Sequence, residues 1–226
     1  MKRTIEIKGA EGGTDAKLFA KDLASSYINM AQRLGWKSSV VCSSDNLIKI
    51  EISGKDLTGL LNEAGGHRVQ RVPPTEKRGR VHTSSVVVAV LGEATADSKY
   101  DQVSDDDFRI EWFSGTGKGG QHRNKKQNSC RVVHIPTGIT EARQGRKRES
   151  NLREAKTAIL QRLRESAESE VNSALSQDRK TQMGSGMRGD KIRTYRFQDD
   201  QVVDHVTGKR AKCSKVMKGH FEVLWK

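Results

Sequence analysis

Val81-His82-Thr83-Ser84-Ser85-Val86-Val87-Val88-Ala89-Val90 reads as the clearest strand of the chain, because β-branched residues dominate it over a strand-like length. Working outward, Ser39 to Cys42 and Leu47 to Ile52 read as further strands, and Thr4-Ile5-Glu6-Ile7 alternates apolar with polar. Asp15 to Leu34 carries Leu18, Phe19, Leu23, Tyr27, Met30 and Leu34 at helical spacing, after a loop from Gly9 to Gly13. On the other side, Phe108 to Phe113 opens a second unit. Val132-Val133-His134 and Ile139 to Ala142 follow as strands around the turn Pro136-Thr137-Gly138. Ser150 to about Asp178 then predicts one long helix, with Leu152, Ala155, Ile159, Leu163, Ala167, Val171 and Ala174 three or four residues apart. Gly184 to Lys226 alternates strand-like pieces with basic loops. The expected class is α+β.

Composition bounds the function. Of 226 residues, 41 are Lys or Arg against 28 Asp or Glu, a net charge of +13, and 34% are hydrophobic. The longest strictly apolar run, Val86 to Leu91, falls far short of the ~20 residues of a membrane span. Charges at Glu6 and Lys8 interrupt any signal-peptide core near the start. Cys42, Cys130 and Cys213 are odd in number and far apart, which predicts reduced thiols in a cytoplasmic protein. Neither they nor His67, His134, His205 and His220 show metal-ligand spacing, so no metal and no cofactor is expected. Such a charge excess points to a polyanion, most often a nucleic acid.

The excess is uneven. Lys118 to Lys156 holds eleven basic residues against Glu141, Glu149 and Glu154, a net +8 in 39 residues. Asp97, Asp101, Asp105, Asp106 and Asp107 make the preceding stretch acidic, as suits a solvated connection between two units.

Within the basic stretch lies Ser114-Gly115-Thr116-Gly117-Lys118-Gly119-Gly120-Gln121-His122-Arg123-Asn124. Its glycines leave the backbone free to adopt φ > 0 and to approach another molecule closely. Backbone N–H groups in such a loop can face an anion or an oxygen gaining negative charge. The Gln121 amide both donates and accepts, which suits it to orient a water, but it cannot act as a general base. No Gly-Lys-[Ser/Thr] follows at the spacing of a phosphate-binding P-loop. Taken alone, the Gly-Gly-Gln triplet is equally compatible with a flexible hairpin tip.

Phe113 to Asn124, followed by Arg131-Val132-Val133-His134-Ile135-Pro136-Thr137-Gly138-Ile139, resembles the catalytic domain of class I peptide chain release factors. The resemblance implies a loop that enters the ribosomal peptidyl transferase centre and promotes hydrolysis of the peptidyl-tRNA ester, chemistry performed only together with the ribosome. Gly119 and Gly120 would shape the loop. The Gln121 backbone N–H would stabilise the oxyanion, and its side chain would help exclude or orient nucleophiles. Arg123, Lys125, Lys126, Arg143, Arg146, Lys147 and Arg148 would meet rRNA phosphates. Two departures from the family pattern, Lys125-Lys126-Gln127-Asn128-Ser129 and Lys147-Arg148, add positive charge.

Gly65 to Ser84, containing Gln70, Pro73-Pro74-Thr75 and His82-Thr83, resembles the decoding domain of the bacterial factors. A stiff Pro-Pro loop, a hydroxyl able to donate or accept, and a flat ring for stacking suit unstacked bases. By resemblance, Pro73-Pro74-Thr75 is the tripeptide of factors that read UAA and UAG. Thr75 would read the first two bases, His82 would stack on the second, and Gln70 with Thr83 would hold the third. Gly12-Gly13 would form the helix tip that reads the first base, with Asp15 where the family carries Glu. Gly184 to Phe197 and Val203-Asp204-His205 resemble the switch loop and closing strands, adding Arg188, Lys191 and Arg193 to the expected rRNA contacts.

The resemblance predicts a decoding superdomain, a mixed sheet with helices, split by an inserted small α+β catalytic domain that ends in a long helix. Its expected parts are 1–104, 105–183 and 184–226. It reads as a shortened factor without the N-terminal helical domain, little stimulated by the recycling GTPase. Expected partners are rRNA, an mRNA stop codon and peptidyl-tRNA, with no membrane. A glutamine methyltransferase acting on Gln121 and a monomeric state are also implied. Two other readings stand beside it: a rescue hydrolase that ignores the codon, and a non-catalytic rRNA-binding inhibitor.

Overall fold

A computed structural model describes residues 1–93, 103–116, 125–184, 187 and 189–226. Contacts divide the chain into one unit of Met1–Ala94 with Ala174–Lys226, and a second of Thr95–Ser173.

The first unit is built on an eight-stranded sheet. Its strands are β1 (Lys2–Gly9), β2 (Lys37–Ser43), β3 (Leu47–Ser53), β4 (Gly65–Arg71), β5 (His82–Gly92), β9 (Arg193–Arg196), β10 (Gln201–Asp204) and β11 (Arg210–Lys212). They lie in the order β11-β10-β9-β4-β5-β1-β3-β2. Pairing is antiparallel except between β4 and β9, which run parallel with His67 opposite Arg193 and Gln70 opposite Arg196. That parallel pair joins the C-terminal strands to the N-terminal part of the sheet.

Helix α1 (Thr14–Arg33) buries Phe19, Leu23, Tyr27 and Met30, one face at helical spacing. It packs on Ile5 and Ile7 of β1, Ile48, Ile50 and Ile52 of β3, and Val86, Val88 and Val90 of β5. These strand positions follow period two, so one face of the sheet meets the helix. Gly35, at φ 70°, ends α1 by donating its N–H to the Gln32 carbonyl. Phe221 and Leu224, in a short 3-10 turn (Phe221–Leu224) after α3 (Cys213–Met217), complete this core.

A charged cluster also lies inside it. Arg193 is 0% exposed, with Nη1 2.5 Å from Glu63 and Nη2 2.9 Å from Asp204. The Tyr27 hydroxyl (3.0 Å) and the Trp225 indole N–H (2.6 Å) both donate to Glu63. The His67 ring sits between the Tyr195 hydroxyl and the Glu63 carbonyl at 3.1 and 2.9 Å. Desolvation first, and the Arg193 charge second, push its pKa down to about 4.

The second unit is a three-stranded antiparallel sheet, β6 (Phe108–Phe113), β7 (Ser129–His134) and β8 (Thr140–Arg143), in that order. The long helix α2 (Arg148–Met183) begins in this unit and buries Ala155, Ile159 and Leu163 against Cys130 and Val132. The expected apolar stripe continues in sequence through Ala167, Val171 and Ala174, but none of these is buried. Strands of four to six residues give the helix a facing surface for only its first turns.

Beyond residue 173, α2 belongs to the first unit. There Arg179 donates twice to Glu6 (2.6 and 3.1 Å), and the Gln182 amide bonds both the N–H and the carbonyl of Val90. Among the described residues, no helix is long and apolar enough to cross a membrane.

Candidate functional site

The first unit gathers the residues expected to read bases. Gln70 near the end of β4 is the cross-strand partner of Thr83 near the start of β5, and Arg71 is the partner of His82. Both pairs therefore flank the loop 72–81 that connects the strands. Pro73 is buried, while Pro74 and Thr75 are exposed. The Glu76 N–H closes a turn onto the Pro73 carbonyl at 3.0 Å.

Glu76 organises this loop. Its carboxylate accepts from the Arg78 N–H at 2.7 Å and from Arg80 at 3.0 and 3.2 Å, and lies 2.9 Å from His82 Nε2. The Arg78 amide is the main cause holding its pKa below the usual carboxylate range, with Arg80 and His82 adding to it against desolvation. The His82 ring stays 45% exposed, so one edge is fixed while the ring remains open to stack. Sequence reasoning gave Glu76 no role. An acid six residues before the ring-bearing residue, across a Gly-containing turn, is the only local signal it left.

Gly12 enters from the start of α1. The Ala10 and Ser85 amides donate to Ser85 and Glu11 carbonyls at 2.9 and 2.7 Å, extending the β1–β5 pairing. This sets Gly12, at φ 116°, so close to Ser84 that a Cβ there would lie 2.3 Å from its hydroxyl. Gly12 is thereby placed one residue from Thr83 along β5.

Two expected contact residues are corrected by burial. Asp15 is 3% exposed, and one of its oxygens takes the Arg71 Nε–H at 2.8 Å. Arg71 also bonds Asp22 at 2.7 Å and stacks near Phe19 and Phe197. Asp15 is thus turned inward, fixing the entry of α1 to the β4 strand that carries Gln70. Arg193, expected on rRNA, is wholly buried in the Glu63–Asp204 cluster described above, out of reach of any phosphate. Lys191 remains partly exposed.

In the second unit, Phe113 pairs with Ser129, so the ends of the intervening segment start from the same end of the sheet. Gly119, Gly120, Gln121 and Arg123 lie outside the described residues, as does Arg188. The flanks are tied down. The Thr116 N–H donates to Gln144 at 3.2 Å. Buried Asn151 accepts from the Gly145 N–H at 2.7 Å and donates to the Asn128 carbonyl at 2.8 Å. This holds the segment carrying Lys125 and Lys126 beside the one carrying Arg146 and Lys147. All four are exposed, and none joins an ion pair among the described residues. Arg148 lies over the Trp112 ring at 3.9 Å, whereas Arg143 pairs with Glu141 at 2.8 Å. Asn151, Gln144 and Trp112 escaped the sequence reading, since nothing local marks a buried tie between distant loops. Among the described residues, no group of three or more His, Cys, Asp or Glu is arranged to hold a metal.

Two family models match the chain, the second running beyond the second unit into the first. Residues 1–88 match the PCRF domain, and residues 97–206 match the RF-1 domain. A protein of Nitratiruptor named Peptide chain release factor 1 is 39% identical over 229 residues, covering 97% of this chain and 64% of its own length. One of the same name from Albidiferax ferrireducens is 40% identical over 209 residues, covering 89% and 57%. The solved structure of RF2 of Thermus thermophilus superposes with a TM-score of 0.56 at 30% identity, over 99% of this chain and 66% of that one. The chain thus spans about three fifths of the length of the curated relatives it matches.

Proposed function

Because this chain belongs to the peptide chain release factor family, we propose that it reads a stop codon in the ribosomal A site and promotes hydrolysis of the peptidyl-tRNA ester. The observation that carries this is the convergence of Gln70, Thr83, His82, the Pro73–Thr75 loop and Gly12 on one end of the β4–β5 pair. A rigid β-pair holds the polar groups, an open loop offers Thr75, and an exposed ring offers a stacking surface. That is how single-stranded bases are held. Pro73-Pro74-Thr75 favours UAA and UAG.

In the second unit, Gly119-Gly120-Gln121 supplies the chemistry. Water adds to the ester carbonyl and gives up a proton, the Gln121 backbone N–H stabilises the resulting oxyanion, and the bond to the tRNA 3′ oxygen breaks as that oxygen takes up a proton. Exposed Lys125, Lys126, Arg146 and Lys147 neutralise rRNA phosphates around it. In this proposal the functional parts are 1–104, 105–183 and 184–226. The protein acts as a cytoplasmic monomer, and Gln121 is the substrate of a glutamine methyltransferase.

The test is peptide release from ribosomes carrying labelled fMet-tRNA, with UAA, UAG, UGA, a sense codon or no codon in the A site. Release on UAA and UAG alone supports the proposal. Equal release on every message, or none on any, overturns it. Gly120→Ala is expected to abolish release while leaving ribosome binding intact.

A further inference from the structure

The sheet face opposite α1 carries positive charge that no ion pair among the described residues neutralises. Along β4, His67, Val69 and Arg71 point towards α1, so Arg68 and Gln70 project from the other face. Along β9, Arg193 and Tyr195 point inward, so Thr194 and Arg196 project beside them. The parallel register sets Arg68 opposite Thr194, and Gln70 opposite Arg196. His205 joins the group through its Nε2, 2.9 Å from the Thr194 hydroxyl. Lys191, just before β9, completes it.

None of Arg68, Lys191 and Arg196 takes part in an ion pair among the described residues. The Arg68 Nε is shielded from solvent and has no hydrogen-bond acceptor. The groups feel one another. Burial first and the Arg196 charge second lower the Arg68 pKa. Desolvation, then Lys191, Arg68 and Arg196, outweigh Asp204 in lowering that of His205. Like charges held together cost stability, and an anion brought among them recovers it. Gln70, the cross-strand neighbour of Thr83, lies on this same face.

We propose that Arg68 and Arg196, supported by Lys191 and His205, form a subsite for an RNA phosphodiester beside the base-reading pair Gln70 and Thr83. The inference rests on the codon-reading proposal for its setting, and deepens it. The pair Gln70 and Thr83 holds a base edge, and the adjacent guanidiniums fix the backbone that bears or flanks that base. A phosphate there positions the strand without reading its sequence. The guanidinium fork suits phosphate oxygens, and the orphaned Arg68 Nε–H gains its acceptor.

The test compares the wild type with R68Q/R196Q and with the charge-conserving R68K/R196K. Each is titrated onto UAA-programmed ribosomes across a series of salt concentrations, and release is measured on the same complexes. R68Q/R196Q is expected to bind about tenfold more weakly at low salt, with a log–log salt slope shallower by about 1 to 2. Its rate of release at saturation should be unchanged, because only ground-state binding is lost. R68K/R196K should retain most of the affinity. The thermal midpoint of R68Q/R196Q should be no lower than wild type, since repulsion is relieved. Wild-type affinity and slope in R68Q/R196Q would overturn the subsite, as would loss of binding equally in both double variants together with a lowered midpoint.

A second arm uses a message with an uncharged methylphosphonate linkage after the third codon base. Weaker binding of wild type but not of R68Q/R196Q identifies a messenger phosphate. Wild-type binding unaffected by the linkage, with R68Q/R196Q still weakened, identifies a ribosomal one. A wild type that shows the arginine-dependent slope yet releases no peptide would sink the codon-reading proposal and leave the subsite standing.

Discussion

His82 Nε2 lies 2.9 Å from a carboxylate oxygen of Glu76, and the same carboxylate takes the Arg78 N–H and the Arg80 guanidinium. One acid thereby fixes both the turn after Pro73-Pro74-Thr75 and the ring expected to stack on a base. Replacing it with glutamine swaps one acceptor oxygen for a donor that faces Arg80 and His82. Glu76→Gln is expected to raise the concentration needed for half-maximal release on UAA ribosomes by roughly tenfold. The maximal rate should stay close to wild type, since Gly119-Gly120-Gln121 is untouched. Release titrations decide it, and an unchanged half-maximal concentration would contradict the organising role of Glu76.

Among the described residues Arg193 is the most buried cation, paired with Glu63 and Asp204. Arg193→Met leaves two carboxylates inside the core with no countercharge. Loss of one partner of a buried pair costs about 3–5 kcal/mol. Urea unfolding should show a midpoint lowered accordingly, with circular dichroism reporting the folded baseline. A midpoint within error of wild type would mean that the cluster is not the internal brace its geometry indicates.

Burial and the Arg193 charge hold His67 neutral, with a pKa of about 4 against an ordinary value of 6.5. The unfolded chain therefore binds more protons between these values, so stability rises with pH across that window. Equivalently, it is lost as the medium is acidified from about pH 6.5 towards about pH 4. The full contribution is on the order of 3 kcal/mol at about 1.4 kcal/mol per pKa unit. Denaturation free energies measured across this range test the slope, and His67→Gln should flatten it. An equally steep slope in that variant would assign the titration to other groups.

Gly66 sits where a Cβ would lie 2.2 Å from the Asp190 carbonyl oxygen, while its own carbonyl accepts the Ile192 N–H at 2.8 Å. Gly66→Ala should push residues 190–192 off β4, at a cost of about 1–3 kcal/mol. Amide hydrogen exchange at Ile192 should accelerate. Gly189→Ala is the control, because a Cβ there meets nothing within 4 Å. It should be neutral to about 0.5 kcal/mol. Equal exchange at Ile192 in both variants would refute the close-approach argument.

Much of this was legible before any coordinate. The alternation of Ile48, Ile50 and Ile52 and the helical spacing of Phe19, Leu23, Tyr27 and Met30 led directly to β3 and α1. Their periods follow from backbone geometry within a few residues. The same reasoning overran in α2, where the spacing of Ala167, Val171 and Ala174 continues after the facing sheet has ended. A periodic stripe states which side of a helix is apolar. Whether anything covers that side depends on the length of another element.

The sequence by itself determined the α+β class and the basic surplus around Gly119-Gly120-Gln121, which depend on composition and on neighbours within a few positions. Its resemblance to the decoding domain marked Gln70, Pro73-Pro74-Thr75 and His82 as expected base readers. Tertiary structure alone decided which charges face outward. Arg68, Arg71 and Arg193 are equivalent in a sequence, yet one is half-buried with an orphaned donor, one clamps Asp15, and one is sealed against Glu63. The reason is physical. A guanidinium's role depends on its solvent and its counter-ions, and Glu63 lies 130 residues from Arg193 in the chain.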